Sequence, residues 1–276
     1  VFDLDSLPSL KNTIDAHGLR ATKALGQNFL TDQNITDKIA RNIAQIQDKH
    51  IVEIGAGPGG LTRSLLRAGA KKVTAIEFDP RAIVILQELQ KACPDRLHLI
   101  HGDALKYDLF DLFEGSPISI VANLPYNIAT PLLMGWLKTI HDHPTQIEQM
   151  VLMFQKEVAE RITAMPHTGD YGRLSVMAQS FCTTHRVMDL NPACFVPAPK
   201  IWSSVVSFHP NAPESYVDFT KLESLVKQAF SQRRKMIRSN LKDYLPVLEF
   251  LGIDPNLRAE NINVLEYKRI VEYLNQ

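Results

Sequence analysis

The stretch "VEIGAGPGG" at residues 52–60 decides the fold. A β-rich run ends at Ile54. Glycines then stand at 55, 57, 59 and 60, before the helical pattern "GGLTRSLLRAG" of 59–69. Strand, tight turn and helix in that order make a ligand loop, because Gly55 and Gly57 let the backbone turn sharply and approach a bound group closely. The same alternation continues outward. The runs "HIVEIG" (50–55), "KVTAIE" (72–77), "RLHLI" (96–100), "ISIVA" (118–122) and "QMVLMF" (149–154) read as strands. Helical runs such as "PRAIVILQELQKAC" (80–93) lie between them. This predicts an α/β fold with a doubly wound, mostly parallel sheet. Two further strands, "SFCTTHRVMDL" (180–190) and "WSSVVSFH" (202–209), are close enough in sequence to pair antiparallel at one end of it. "PNAPES" (210–215) reads as a linker. Beyond it "YVDFTKLESLVKQAFSQRR", "MIRSNLKDYL" and "EYKRIVEYLN" are helical. Residues 1–210 are therefore expected to form a ligand-binding domain and 211–276 a small α-helical domain.

The totals are those of an ordinary globular chain: 276 residues, 45% hydrophobic and 22% charged. The length suits one large domain and a smaller one. Cys93, Cys182 and Cys194 form no CxxC pair and leave an odd count, which predicts reduced thiols in a cytoplasmic protein. No apolar run reaches the ~18 residues of a membrane helix. "VFDLDSLPSLK" at the N-terminus has acids where a signal peptide has a basic flank, so no leader is expected. Formal net charge is zero, yet "KQAFSQRRKMIRSNLK" (227–242) holds six basic residues and no acid. Such a block suits a local phosphate contact, and equally a solvated helix face.

The glycine loop alone fits two kinds of nucleoside site. Gly55, Gly57 and Gly60 satisfy the GxGxxG of a dinucleotide loop; Gly55, Gly57 and Gly59 satisfy the GxGxG of an S-adenosylmethionine (SAM) loop. Glu77 ends the next strand, where a carboxylate can take two ribose hydroxyls. A dinucleotide brings a pyrophosphate to the helix N-terminus. SAM brings a sulfonium and an α-ammonium, which a carboxylate at Glu53 favours. "GDAL" (102–105) follows the third strand, where Asp103 can accept from the cofactor's adenine amine or act as a plain turn or N-cap residue.

"NLPYNI" (123–128) follows the fourth strand. As an isolated motif it is a common turn with a common core tyrosine. At the carboxyl edge of a SAM-type sheet it stands where ligands bind, and its residue types then suit one reaction. An adenine amine is a poor nucleophile because its lone pair is delocalised, and a general base does not cure this. Acceptors out of the ring plane do, by holding the N–H bonds while nitrogen becomes tetrahedral. The Asn123 side-chain oxygen is one such acceptor and the Leu124 carbonyl a second, since Pro125 fixes the turn and offers no N–H. Tyr126 can stack on the base and hold it in line.

Together these blocks resemble a family, the rRNA adenine N6-dimethyltransferases, specifically the KsgA-type enzymes of the small ribosomal subunit. The resemblance runs nearly end to end. It includes "LGQNFLTD" (25–32), "EIGAGPGGLT", "IEFD", "GDAL", "NLPYNI", "FQKEVAERI" (154–162), "YGRLSV" (171–176), "FVPAPKIWSSVV" (195–206) and "FSQRRKMIRSNL" (230–241). It implies a Rossmann-like methyltransferase fold with SAM as cofactor, touched by Gln27, Asn28, Leu30, Glu53, Gly55, Gly57, Glu77, Asp103 and Asn123. It implies Asn123, Leu124, Pro125 and Tyr126 as catalytic residues, with Phe195 stacking on the other face of the target base. The substrate implied is a pair of neighbouring adenosines near the 3′ end of small-subunit rRNA, each methylated twice within a partly assembled particle. The basic block implies RNA contact at Arg233, Arg234 and Lys235. The protein is expected to act as a monomer in ribosome biogenesis.

Three other readings remain at this stage. A macrolide-resistance type that methylates large-subunit rRNA is disfavoured by Leu124 and the "FSQRRK" block. A non-catalytic assembly or transcription factor would tolerate damage to the glycine loop or NLPY, and both are intact. An NAD enzyme has no use for NLPY and Phe195. His141 and His143 in "HDHP" lack partners spaced for a metal site, so no metal is expected. His17 and His101 read as structural, and Lys23 as either a phosphate contact or a solvated charge.

Overall fold

The computed structural model describes residues 4, 7–22, 26–107, 109–112 and 115–275, and for Phe110 and Asp111 the backbone only. The residues read for a leader lie partly outside this range, and Lys23 and the first residue of "LGQNFLTD" lie wholly outside it.

The strands in chain order are β1 (Phe29–Leu30), β2 (His50–Ile54), β3 (Lys72–Glu77), β4 (Leu97–His101), β5 (Ile118–Asn123), β6 (Ile147–Gln155), β7 (Cys182–Leu190), β8 (Phe195–Val196) and β9 (Ser203–Pro210). The helices are α1 (Leu10–Ala16), α2 (Gln33–Ala40), α3 (Gly60–Arg67), α4 (Pro80–Ala92), α5 (Tyr126–Asp142), α6 (Lys156–Thr163), α7 (Arg173–Phe181), α8 (Phe219–Ala229), α9 (Ile237–Asn240), α10 (Leu245–Phe250) and α11 (Val264–Tyr273).

Seven strands make one sheet in the order β4-β3-β2-β5-β6-β9-β7. β2 to β6 run parallel; β9 is antiparallel to β6, and β7 to β9. The late antiparallel pair sits at the edge, as its spacing predicts. The chain winds from β2 out to β4, then returns to the other side of β2 with β5. The switch point therefore lies between β2 and β5, which pair with Ile54 opposite Ala122. This register puts the glycine loop and NLPY side by side at the carboxyl edge, where doubly wound sheets bind ligands.

Both faces of the parallel strands are apolar, in alternation. Val52, Ile54, Ile118, Ile120 and Ala122 pack into one cluster with Leu133, Trp136 and Leu137 of α5. Ile51 and Val121 point the other way, into a cluster with Leu65 and Leu66 of α3 and Leu86 and Leu89 of α4. The first cluster continues through Phe181 of α7 into Phe219, Leu222 and Val226 of α8 and Tyr267 and Ile270 of α11. His141 belongs there: its ring lies 5.8 Å from Phe181, and its Nδ1 is 2.7 Å from Asp142. Among the described residues no group of three or more His, Cys, Asp or Glu can hold a metal ion, and no helix is long and apolar enough to cross a membrane.

Two local expectations change. Ser180 and Phe181 belong to α7 rather than to a strand, because Phe181 packs in the aromatic group with Phe219, centroids 5.3 Å apart. "MIRSNLKDYL" is helical only over Ile237–Asn240, followed by a 3-10 turn over Lys242–Tyr244. There the buried Asn240 amide turns back to the carbonyls of Ala229 (2.6 Å) and Gln232 (3.2 Å), which occupies acceptors at the open end of α8.

Candidate active site

A cleft of about 280 Å³ opens at the switch point. Among the described residues five segments line it: 26–30 from the N-terminal arm, 53–58 with 60–61 from β2 through the glycine loop, 76–78 from the end of β3, 102–105 from the end of β4, and 123–128 from NLPY.

The glycine loop leaves β2 in left-handed conformations at Gly55 (φ +71°), Gly57 (φ +54°) and Gly59 (φ +86°), which favour glycine at each. The Gly55 N–H donates to Ile76 O at 2.8 Å and pins the turn to β3. Gly60 admits no side chain, since a Cβ there would lie 2.9 Å from the Leu30 carbonyl and 2.8 Å from Leu10. Under the loop lies Glu53, 1% exposed. Its Oε2 accepts from Thr62 Oγ1 at 2.6 Å. Burial nevertheless raises its pKa to about 8, and the nearby Glu77 pushes the same way. Glu77 accepts from the Gly57 N–H and the Asp79 N–H, both at 2.7 Å. Burial raises its pKa as well, against the pull of those backbone donors. Asp103 lines the cleft and is also a turn residue, accepting the Leu105 N–H at 3.0 Å.

The amide of Asn123, at the end of β5, donates from Nδ2 to Asn28 O at 3.3 Å. That bond turns Oδ1 the other way, and among the described residues Oδ1 has no protein donor. Leu124 is buried in the sheet core, and Pro125 leads into α5, whose first residue is Tyr126. The Tyr126 hydroxyl is 2.7 Å from Ser203 Oγ at the start of β9. Burial raises the Tyr126 pKa, so it stays a neutral phenol. The N-terminal arm lies directly against this turn: a Cβ on Gly26 would stand 3.3 Å from Pro125 Cβ. Gln27 lines the cleft but uses its amide elsewhere. Oε1 accepts from the Thr22 N–H and Nε2 donates to Asp79 Oδ2, both at 2.9 Å. Asp79, held down at about pKa 2 chiefly by Arg81, thus latches the arm to the N-cap of α4.

Asn28, Leu30, Glu53, Gly55, Gly57, Glu77, Asp103, Asn123, Leu124, Pro125 and Tyr126 therefore share one cleft with Gln27. Phe195 does not share it. It is 3% exposed and packs among Leu30 and Val121, because β8 pairs antiparallel with β1 and sets Phe195 opposite Leu30. The expected sandwich of Phe195 and Tyr126 is corrected accordingly: Phe195 props the arm from inside. Arg233, Arg234 and Lys235 also lie outside the cleft. Arg233 is spent internally, on Glu260 (3.2 Å) and on the carbonyls of Gly169 and Tyr171. Arg234 and Lys235 are exposed. Sequence reasoning passed over Phe78, Leu105 and Ser203. An aromatic directly after the acid in "IEFD" was the available signal for Phe78, which is 56% exposed at the rim. Ser203 had no local signal.

Among the described residues the lining carries three carboxyl groups and no Lys, Arg or His. This suits a cationic ligand rich in hydroxyls and disfavours a pyrophosphate. The donor set has the chemistry that SAM would require, with the carboxyl groups of Glu53, Glu77 and Asp103 in one cleft.

Comparison with known proteins agrees with this chemistry. The family model described as "Ribosomal RNA adenine dimethylase" matches residues 18–276. The "Ribosomal RNA small subunit methyltransferase A" of Bradyrhizobium diazoefficiens is 48% identical over 265 residues, covering 95% of this chain and 93% of that one. Its namesake in Novosphingobium aromaticivorans is 46% identical over 276 residues, covering 99% and 100%. Among solved structures, a dimethyladenosine transferase from Plasmodium falciparum is similar with a TM-score of 0.77 and 28% identity, covering 90% of this chain and 97% of that one. The 23S rRNA methyltransferase ErmE gives 0.69 and 27%, covering 90% and 100%. With the matched region taking in the arm, the glycine loop, NLPY and the helical C-terminus, the chain belongs to the ribosomal RNA adenine dimethylase family.

Proposed function

We propose that the chain dimethylates the exocyclic amines of two adjacent adenosines near the 3′ end of small-subunit rRNA, using SAM. The orientation of Asn123 carries this reading. With Nδ2 committed to Asn28 O, Oδ1 is left as an acceptor in the cleft. SAM, when bound, supplies a methyl group on a sulfonium that is already a good leaving group. The protein's part is to aim the attacking nitrogen. Asn123 Oδ1 and the Leu124 carbonyl accept the amine's hydrogens, so that its lone pair turns out of the ring plane. Tyr126, tied at its hydroxyl to Ser203, offers a fixed ring face for the base. Once the first methyl is on, one acceptor suffices, and the second transfer needs room for that methyl.

The relatives of 46–48% identity named for the small subunit support that substrate over the large-subunit reading, whose representative is 27% identical. We place the protein in the cytoplasm as a monomer acting on a partly assembled particle in ribosome biogenesis. Residues 1–210 are the catalytic domain, and 211–276 contact RNA or ribosome, with Arg234 and Lys235 among the exposed cations. The test is radiolabelled-methyl SAM with undermethylated small subunits, naked large-subunit rRNA in parallel and Asn123→Ala beside both. Dimethyladenosine in small-subunit RNA, lost in the variant, is the expected result. Label confined to large-subunit RNA would establish the other specificity. No label in either, with SAM bound, would refute the enzymatic reading.

A further inference from the structure

The segment joining β8 to β9 crosses the carboxyl edge of the sheet beside the cleft. Its last residue, Trp202, is 46% exposed, and Val196 and Ile201 on the same segment are 57% and 42% exposed. An indole so open to water is uncommon in a folded chain and marks a contact surface. Its position is fixed. The Trp202 carbonyl accepts the Lys156 N–H at 2.9 Å, which ties it to the end of β6. The next residue is Ser203, whose hydroxyl holds Tyr126. The indole is thus one residue from the group that orients the catalytic aromatic.

The charges around it are arranged for an anion with a flat base. Lys156 Nζ stands 5.8 Å from the centre of the Trp202 ring. It is also 3.2 Å from Asp189, whose other oxygen takes Ser204 Oγ at 2.7 Å and faces Arg186 at 3.8 Å. Arg186 is in turn paired with Glu160 at 3.2 Å. Lys200, exposed on the same segment, makes no ion pair among the described residues. Three cations against two acids leave the patch positive, and Lys200, two residues before the indole, is its unpaired cation.

We propose that Trp202, flanked by Lys156 and Lys200, is the platform on which a nucleotide next to the reacting adenosine stacks, its phosphate meeting Lys200. The proposal rests on the RNA-methylating reading above. Single-stranded RNA fits better than a protein partner because every base offers a π-face to an indole, and a lysine beside the ring suits the adjoining phosphate. Phe195 is buried, so the exposed aromatic surface of this segment is the indole.

Two measurements on the full chain test it. Intrinsic fluorescence is titrated with a short oligoadenylate, taking the difference between wild type and Trp202→Phe as the Trp202 signal. Stacking quenches that signal. Methyl transfer to undermethylated small subunits is then measured for Trp202→Ala, Trp202→Phe and Lys200→Ala. KM for the particle rises on the order of 5- to 100-fold in Trp202→Ala, the range for loss of one base–aromatic stack. Trp202→Phe recovers most of it, and the Kd for SAM is unchanged throughout. Lys200→Ala lowers the slope of log KM against log salt by about 0.7, one phosphate contact on a single strand. An unchanged KM in Trp202→Ala overturns the proposal. A raised KM without quenching also overturns it, assigning the patch to a ribosomal protein. Absence of methyl transfer by wild type would instead refute the function, and the oligoadenylate titration would still read the platform.

Discussion

Glu53→Gln separates folding from binding at one carboxyl group. Glu53 is 1% exposed beneath the glycine loop, and burial moves its pKa from 4.5 to about 8. In the unfolded chain it ionises near the ordinary value, so between these limits the native state holds a proton the unfolded state has released. Stability from this group is therefore fully present below about pH 4.5 and lost as pH rises towards about 8. At pH 7.5 the gap is about three pH units, and at 1.36 kcal/mol per unit the cost in the ligand-free protein is about 4 kcal/mol. Glutamine keeps the shape and can still accept from Thr62, but it does not titrate. Urea unfolding from pH 5 to 8 should show wild type losing stability relative to Glu53→Gln, the two differing by only about 1 kcal/mol at pH 5. Parallel curves over that range would refute the burial argument.

The same proton couples to the cofactor. A sulfonium and an ammonium beside Glu53 favour its ionised form, so SAM binding by the wild type expels a proton below about pH 8. Affinity then tightens with rising pH, at most about tenfold per unit for one proton. The ammonium of SAM itself titrates near 8 in the opposing sense, a contribution that Glu53→Gln retains. Calorimetry in buffers of different ionisation enthalpy should find more proton release with wild type than with the variant. Equal release would place the positive end of the cofactor away from Glu53.

Asn123→Ala should lower kcat on the order of 100- to 1,000-fold, as for removal of one aimed polar group at a reacting centre, while the Kd for SAM moves little; single-turnover assays with excess enzyme read both. Ser203→Ala frees the Tyr126 hydroxyl and should lower kcat about 2- to 10-fold, the worth of one hydrogen bond. Adding it to Tyr126→Phe should cost nothing further, and additive losses would show that the bond does not position the ring. Gly60→Ala drives a Cβ towards the Leu30 carbonyl and should destabilise by about 1–3 kcal/mol in urea unfolding. Arg233→Ala should lower the thermal midpoint with little change in RNA affinity, whereas Arg234→Ala should weaken RNA binding and flatten its salt dependence at unchanged midpoint.

What the chain discloses in advance is what its local chemistry dictates. Period-two apolar runs, helix periodicity and glycines that must turn are written within a few residues of where they act. The wind of the sheet and the meeting of Glu53, Glu77, Asp103 and Asn123 at its switch point follow from them. Phe195 shows where that reasoning stops. Its segment gives no hint that residues 195–196 pair with 29–30 across more than half the chain. Only that ladder decides whether the ring faces a base or the core. Ser203 and Gln27 are of the same kind, since each acts through a partner, Tyr126 or Asp79, brought to it by the fold. Arg233 is subtler: the basic block is real, but Glu260 and the 169–171 carbonyls take up one of its charges. A charge run read from sequence counts cations, whereas binding depends on cations left over once internal acceptors are served. Among the described residues those include Arg234, Lys235 and Arg238 of the block and, on the segment before β9, Lys200. A single-stranded RNA held at the cleft should therefore be sensed by exposed charges that the spacing of basic residues alone does not rank.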